Sequence, residues 1–411
     1  MQELFELSWK RGALTSLDFV RSMSGKILWK SRLIGLRGAR GTGKTTLMLQ
    51  RIRQAFANDP GQALYVSLDN LWFSHHGLAE LADRFVKQGG SHLFLDEVHK
   101  YPEWPKVLKN LYDNYPGLSI VFTGSSLLDI LDSRADLSRR AVVYTMQGLS
   151  FREYLHLAHG IEFPIIGLKE LLSKHEKFSS AICAKIKPFK YFKDYLQSGY
   201  YPYFAEGLET YPMRLGETVS MILELELPLL RKVEIAYVPK IKKLLGIISE
   251  STPFIPNISK LGERIGINRQ TLLAYIRYLE EARLTRNLYK QAAGIGILQK
   301  PDKIFLENTN LMFLFGSTRW DKGNVRETFL ANQLGYEHTI EFPENGDFLV
   351  DKKYLIEVGG KSKTAKQLKD ADSSPSGKPA KSGKTAAYIA ADDIEYGFDK
   401  KIPLWLFGFL Y

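Results

Sequence analysis

Gly38-Ala39-Arg40-Gly41-Thr42-Gly43-Lys44-Thr45 sets glycines, a lysine and a threonine at the spacing that phosphate binding needs. Glycine lets a backbone curl until its N–H groups converge on one anion. Lysine reaches the outer phosphates as a point charge, and a threonine hydroxyl suits a hard cation such as Mg²⁺. The chemistry predicted for Gly38, Ala39, Arg40, Gly41, Thr42, Gly43, Lys44, Thr45 and Thr46 is binding of a nucleoside triphosphate, ATP with Mg²⁺.

A second group lies downstream. The apolar run Leu93-Phe94-Leu95 ends in Asp96-Glu97. Asp96 is expected beside the Mg²⁺ with Thr45, and Glu97 where it can activate a water. Having Glu97 as well as Asp96 argues for hydrolysis over binding alone. The next apolar run ends at Thr123-Gly124-Ser125-Ser126. Its hydroxyls either orient the attacking water or belong to an ordinary Ser/Gly turn. Arg140 can stabilise charge on the transferred phosphoryl group, in cis or from a neighbouring subunit; the alternative is a solvated surface arginine.

These side chains converge only if a sheet holds them. Short apolar runs at Leu33–Leu36, Ala63–Ser67, His92–Leu95, Leu118–Phe122 and Val142–Tyr144 alternate with helical patterns, the mark of a parallel α/β sheet. A helix over Thr45–Ala57 follows the glycine turn, so the positive end of its dipole adds to the phosphate site. Residues 151–250 read as mostly helical, including Phe151–His156, Leu168–Glu176 and Met213–Lys232.

The chain resembles a bacterial and archaeal family of AAA-type P-loop ATPases that carry a C-terminal domain of unknown function. Residues 36–46, Leu95-Asp96-Glu97-Val98-His99 and Thr123-Gly124-Ser125-Ser126 carry the likeness, with Leu149-Ser150-Phe151-Arg152-Glu153-Tyr154 and Ser198-Gly199-Tyr200-Tyr201-Pro202. The family pattern has Gly-Arg where this chain has Arg139-Arg140, so Arg140 is the matching arginine. The resemblance implies an α/β fold: an AAA-type ATP-binding domain over 1–150, a helical segment over 151–250, a winged helix-turn-helix over 251–310 and an α+β restriction-endonuclease-like domain over 311–411.

The residues support a helix-turn-helix on their own. Asn257 and Asn268 can each cap a helix, with Gly266 making the turn between. Leu272, Ile276 and Leu279 face inward, leaving Arg269, Gln270 and Arg277 toward solvent as candidate DNA contacts. Packing against a protein partner is the alternative. Leu284–Tyr289 and Lys303–Leu306 can pair as a wing.

Glu327, Asp347 and Glu357 resemble the carboxylates of a Mg²⁺-dependent nuclease. A lysine two residues after the last acid would normally help activate water, but that position is Gly359, and Lys361 is out of register. The expected state is therefore an inactive scaffold. Residues 370–384 read as a loop, and Ile402–Tyr411 as a buried strand.

Composition sets the bounds. The chain has 411 residues, 45% hydrophobic and 25% charged, with net charge +11. That charge suits polyanions and solubility alike. One cysteine, Cys183, excludes an intrachain disulfide and reads as a small core residue. Neither His75-His76 nor the pair His156 and His159 has a third metal ligand nearby. No apolar run approaches the roughly 20 residues of a membrane helix. Without a signal-like N-terminus the expected location is cytoplasmic. The expectation is an ATP-hydrolysing switch with a winged helix as a candidate DNA contact, with DNA binding and a homo-oligomer left open. An ATP-gated nuclease and a nucleotide-dependent scaffold that does not bind DNA are the alternatives.

Overall fold

A computed structural model describes residues 1–124, 137, 139–250, 255–290, 300–316, 321–364 and 385–411. The chain divides into two compact units, Met1–Gly148 and Leu149–Tyr411.

In the first unit the apolar runs become β1 (Leu33–Gly38), β2 (Ala63–Ser67), β3 (His92–Asp96), β4 (Ser119–Thr123) and β5 (Val142–Met146). They form one sheet in the order β2-β3-β4-β1-β5, and every pair is parallel. Strand side chains alternate between faces. Leu64, Val66, Leu93, Leu95, Ile120 and Phe122 enter one core, where α3 (Leu78–Lys87) and α4 (Trp104–Asn114) cover them. Tyr65, Phe94, Val121, Ile34 and Leu36 enter the other, against Leu47, Met48 and Leu49 of α2 (Lys44–Ala55). Helices on both faces bury both sides of the strands, which is why these strands read as continuous apolar runs. The helix α1 (Gln2–Leu14) packs on β2 and α2, burying Leu4, Ser8 and Gly12 along one stripe.

This order puts the turn after β1 at a reversal of strand order, the crevice where open parallel sheets bind ligands. The same chain direction brings the ends of β3 and β4 to that edge.

The second unit opens with α5 (Phe151–His159), whose first turn is closed by a reciprocal cap between Ser150 and Glu153. Then come α6 (Leu168–Cys183), α7 (Pro188–Ser198), α8 (Tyr211–Met221), a π-helical turn at Ile222–Glu226, α9 (Leu227–Arg231) and α10 (Val238–Glu250). The expected single helix over Met213–Lys232 is thus interrupted by the π-helical turn. Helices α11 (Ile258–Ile265) and α12 (Arg269–Glu281) are capped by the Asn257 and Asn268 side chains. The hairpin of β6 (Thr285–Leu288) and β7 (Lys303–Leu306) follows. After α13 (Thr309–Phe315) and α14 (Lys322–Leu334) a second sheet runs β12-β11-β10-β9-β8. Its strands β8 (Ile340–Glu341), β9 (Phe348–Val350) and β10 (Tyr354–Gly359) are antiparallel. Strands β11 (Ala386–Ala391) and β12 (Lys401–Pro403) continue it in parallel.

The terminal strand expected over Ile402–Tyr411 is a correction: β12 stops at Pro403, and Leu404–Phe409 is a buried 3₁₀ helix. Cys183 is only half-buried, with Sγ 3.5 Å from the Glu395 carbonyl. The loop expected over 370–384 lies outside the described residues. Among the described residues no helix is long and apolar enough to cross a membrane.

Candidate nucleotide site and candidate end-domain site

Strand β1 runs into the glycine turn at Gly38, where a Cβ would stand 2.2 Å from the Met146 carbonyl oxygen. Only glycine lets β1 and β5 close together there. Gly41 and Gly43 sit at φ +81° and +95°, the left-handed region that glycine enters without penalty. Gly43 is the N-cap of α2, so the curled backbone opens directly onto a helix N-terminus. The Lys44 side chain is buried and donates to the carbonyls of Gly38 at 3.0 Å and Ala39 at 2.9 Å. Thr42 Oγ1 donates to Ala39 O at 2.9 Å. Arg40 is half-buried and Thr46 exposed.

Sequence reasoning missed Arg21. Its buried guanidinium donates to Thr42 O (2.8 Å), Gln147 O (2.7 Å) and Gly148 O (2.9 Å). A fork of fixed geometry thus clamps the glycine turn to the chain after β5. No motif marks it, because its partners are carbonyls 21, 126 and 127 positions away.

At the tip of β3 the Asp96 carboxylate is 4% exposed, and its acceptor sites are filled. Oδ2 accepts from Thr45 Oγ1 at 2.6 Å and from Tyr65 Oη at 2.9 Å. Oδ1 accepts from Thr123 Oγ1 and from the Glu97 N–H at 3.2 Å. The side chains expected to meet around a cation are therefore together. Thr123 Oγ1 thus gives its proton to Asp96, while its oxygen accepts from Glu97 N–H at 3.4 Å.

Glu97 adopts φ +53°, a left-handed conformation rare outside glycine, and turns its carboxylate to His99 Nε2 at 3.3 Å. Burial pushes the His99 imidazole down to about 4, with the positive charges of Lys100, Arg40 and Lys44 adding to it. The ring is neutral near pH 7, so its contact with Glu97 is not an ion pair.

Arg140 stands elsewhere. Ile34 pairs with Val142 and Gly38 with Met146, so the start of β5 is at the end of the sheet remote from the glycine turn. Arg140 holds Asp113 there in a fork, 2.9 Å and 3.0 Å. Strand direction thus removes the cis role left open for Arg140. Ser125 and Ser126 lie outside the described residues.

One glycine where a Cβ would collide, two more in the left-handed region, a helix N-terminus and a buried lysine fit a triphosphate. The oxygens of Thr45 and Asp96 fit Mg²⁺, which typically takes one or two protein oxygens and completes its shell with water and phosphate. Among the described residues no three His, Cys, Asp or Glu side chains group as a metal cage.

In the second unit Arg269 and Gln270 are exposed at the start of α12. Arg277 pairs with Glu281 at 2.9 Å, and Glu281 also holds Arg231 at 2.9 Å. Glu327 lies near Asp347, and Lys363 stands between Asp347 and Glu357. Lys303 of β7, wholly buried, pairs with Glu327. Burial raises the Glu327 carboxyl, and nearby Asp347 adds to this while Lys303 and Lys363 oppose it. Lys363 is 2.7 Å from Glu357 Oε2 and 3.7 Å from Asp347 Oδ2.

Lys363 overturns the premise of the missing lysine. A Cβ on Gly359 would lie 2.3 Å from Lys363 Cδ, because that side chain crosses the strand where Gly359 leaves room. The position where a lysine was sought is filled by one from further along the chain. The backbone carbonyl of Lys361 instead accepts from Lys401 at 3.0 Å.

Residues 30–155 match the family described as AAA domain, and 189–313 match a domain of unknown function. Residues 30–155 are an AAA-type P-loop domain. The chain is 29% identical over 371 residues to an uncharacterised protein of Methanocaldococcus jannaschii, covering 82% of this chain and 78% of the other. Among solved structures, a Walker-type ATPase of Pyrococcus abyssi aligns at TM-score 0.42 and 13% identity, over 72% of this chain and 95% of that one. The AMPPCP-bound DnaA of Aquifex aeolicus aligns at TM-score 0.25 and 13% identity, over 68% and 88% respectively.

Proposed function

We propose that the AAA domain binds ATP with Mg²⁺ and hydrolyses it, and that the second unit couples this cycle to DNA. The observation that carries the first part is the meeting of Thr45 and Thr123 on the one carboxylate, Asp96, beside the glycine turn. In this reading Lys44 neutralises phosphate charge. Thr45 would ligate the metal, with Asp96 holding its hydroxyl in place, and the metal would screen the phosphate oxygens when bound. Glu97 accepts the proton of the attacking water. Arg140 acts, if at all, on a neighbouring subunit's nucleotide.

Calorimetry with ATP and ADP in Mg²⁺, alongside turnover of Lys44→Ala and Glu97→Gln, tests this. Lys44→Ala loses binding; Glu97→Gln binds and does not turn over. Parental turnover by Glu97→Gln overturns the acid's role. DNA contact is read as a winged helix presenting Arg269 and Gln270, and it predicts affinity that falls steeply with salt. No binding at low salt returns the module to packing against a protein partner.

Lys363 favours a second reading for the end domain, Mg²⁺-dependent cleavage of phosphodiesters by Asp347, Glu357 and Lys363. Nicking of plasmid in Mg²⁺ or Mn²⁺ that Asp347→Ala abolishes supports it; parental nicking by that variant sinks it.

A further inference from the structure

The Tyr65–Asp96 hydrogen bond belongs to no motif. Tyr65 stands on β2, paired in register with Phe94 of β3, and its phenol reaches the Asp96 carboxylate. The phenolic oxygen accepts from Arg11 Nη1 at 3.1 Å, and the guanidinium carbon lies 5.6 Å from the ring centroid. A guanidinium only donates and an ionised carboxylate only accepts, so the direction is fixed: Arg11 to Tyr65, Tyr65 to Asp96.

The same helix holds Tyr65 at its backbone. β2 is an edge strand, and the Tyr65 N–H donates to Ser8 Oγ of α1 at 3.0 Å. Burial and the Asp96 charge raise the phenol far above its ordinary value, while Arg11 opposes this in part. Tyr65 therefore remains a donor across the working pH range. Ser8 and Arg11 precede the residues matched to the AAA domain, so a flanking helix reaches the acid through Tyr65.

We propose that Tyr65 is a positioning residue of the nucleotide site, held by Arg11 and Ser8 of α1, which fixes the plane of the Asp96 carboxylate so that Oδ2 stays aimed at Thr45. A carboxylate turns in a broad torsional well. Thr123 and the Glu97 N–H hold Oδ1, and Tyr65 gives Oδ2 a second anchor beside Thr45, from the neighbouring strand β2. The inference rests on the reading of the AAA domain as a Mg²⁺–nucleotide site.

Tyr65→Phe deletes the oxygen and keeps the ring. Calorimetry of ADP and ATP across a Mg²⁺ series, with steady-state turnover, reads the consequence. Metal-free nucleotide affinity stays within about twofold of the parent. The Mg²⁺ concentration that half-saturates the metal-dependent gain in affinity rises about fivefold to tenfold, the worth of a charge-assisted hydrogen bond. kcat falls while the KM for ATP at saturating metal is unchanged. Arg11→Ala moves the Mg²⁺ midpoint in the same direction by less, and Arg11→Lys recovers part of that loss; because Arg11 is exposed, this pair reads the effect independently of Tyr65→Phe folding. A purely structural tyrosine would lower Tm and metal-free affinity together and leave the Mg²⁺ midpoint alone. That outcome, or a parental midpoint in both Tyr65→Phe and Arg11→Ala while the parent binds nucleotide normally, overturns the inference. Failure of the parent itself to bind nucleotide overturns the underlying reading as well.

Discussion

Lys363 Nζ lies 2.7 Å from Glu357 Oε2, its side chain having crossed the strand at Gly359. Both groups are largely shielded, 23% and 11% exposed. Neutralising one partner strands the other's charge, whereas neutralising both need not be costly. Lys363→Met should lower unfolding free energy by about 1–3 kcal/mol in urea titration, and adding Glu357→Gln should restore most of it. An additive double variant would mean that the pair does not interact.

Gly359→Ala is a sharper probe of the same contact. The new methyl would meet Lys363 Cβ at 2.8 Å as well as Cδ, so the backbone must shift along with the lysine side chain. The variant should be at least as destabilised as Lys363→Met, because methionine keeps the Cβ and Cγ that the new methyl strikes. Wild-type stability in Gly359→Ala would show that the lysine relaxes around the methyl.

At the nucleotide site Gly38→Ala meets a backbone oxygen, which cannot swing aside as a lysine can. Forcing the ends of β1 and β5 apart should cost about 1–3 kcal/mol and abolish detectable heat of ATP uptake. Retained affinity would mean that the turn tolerates a wider gap.

The pH dependence follows from His99. Its folded-state value, pushed down to about 4, lies below the ordinary 6.5 that the unfolded chain regains. Between these values the unfolded chain binds the extra proton, so stability rises with pH. The contribution is complete above about pH 6.5 and drains away toward pH 4, at most about 3 kcal/mol. His99→Gln should flatten that limb of a plot of unfolding free energy against pH. A limb of unchanged slope would assign it to other groups.

Arg140→Ala should leave ATP affinity at its parental level and change stability little, because its pair with Asp113 is a solvent-screened contact remote from the glycine turn. A fall in turnover that appears only as protein concentration rises would signal action across a subunit boundary. Reduced ATP affinity in dilute protein would contradict the strand directions of the sheet.

What could be read from the chain and what could not divide along one physical line. The glycine turn and Asp96-Glu97 were legible because strand and helix geometry bring neighbouring residues to one edge. Tyr65, Arg21 and Lys363 were hidden because their partners are set by packing: an edge strand under a flanking helix, carbonyls far along the chain, a side chain folded over a glycine. Leu404–Phe409 was misread as strand because a short, wholly buried apolar run has no periodicity that tells strand from helix.

Glu97 has a further consequence. A left-handed backbone at a side chain bearing Cβ costs on the order of 1 kcal/mol, a penalty that glycine avoids. Glycine at this position would relieve that strain in the same step that removes the carboxylate.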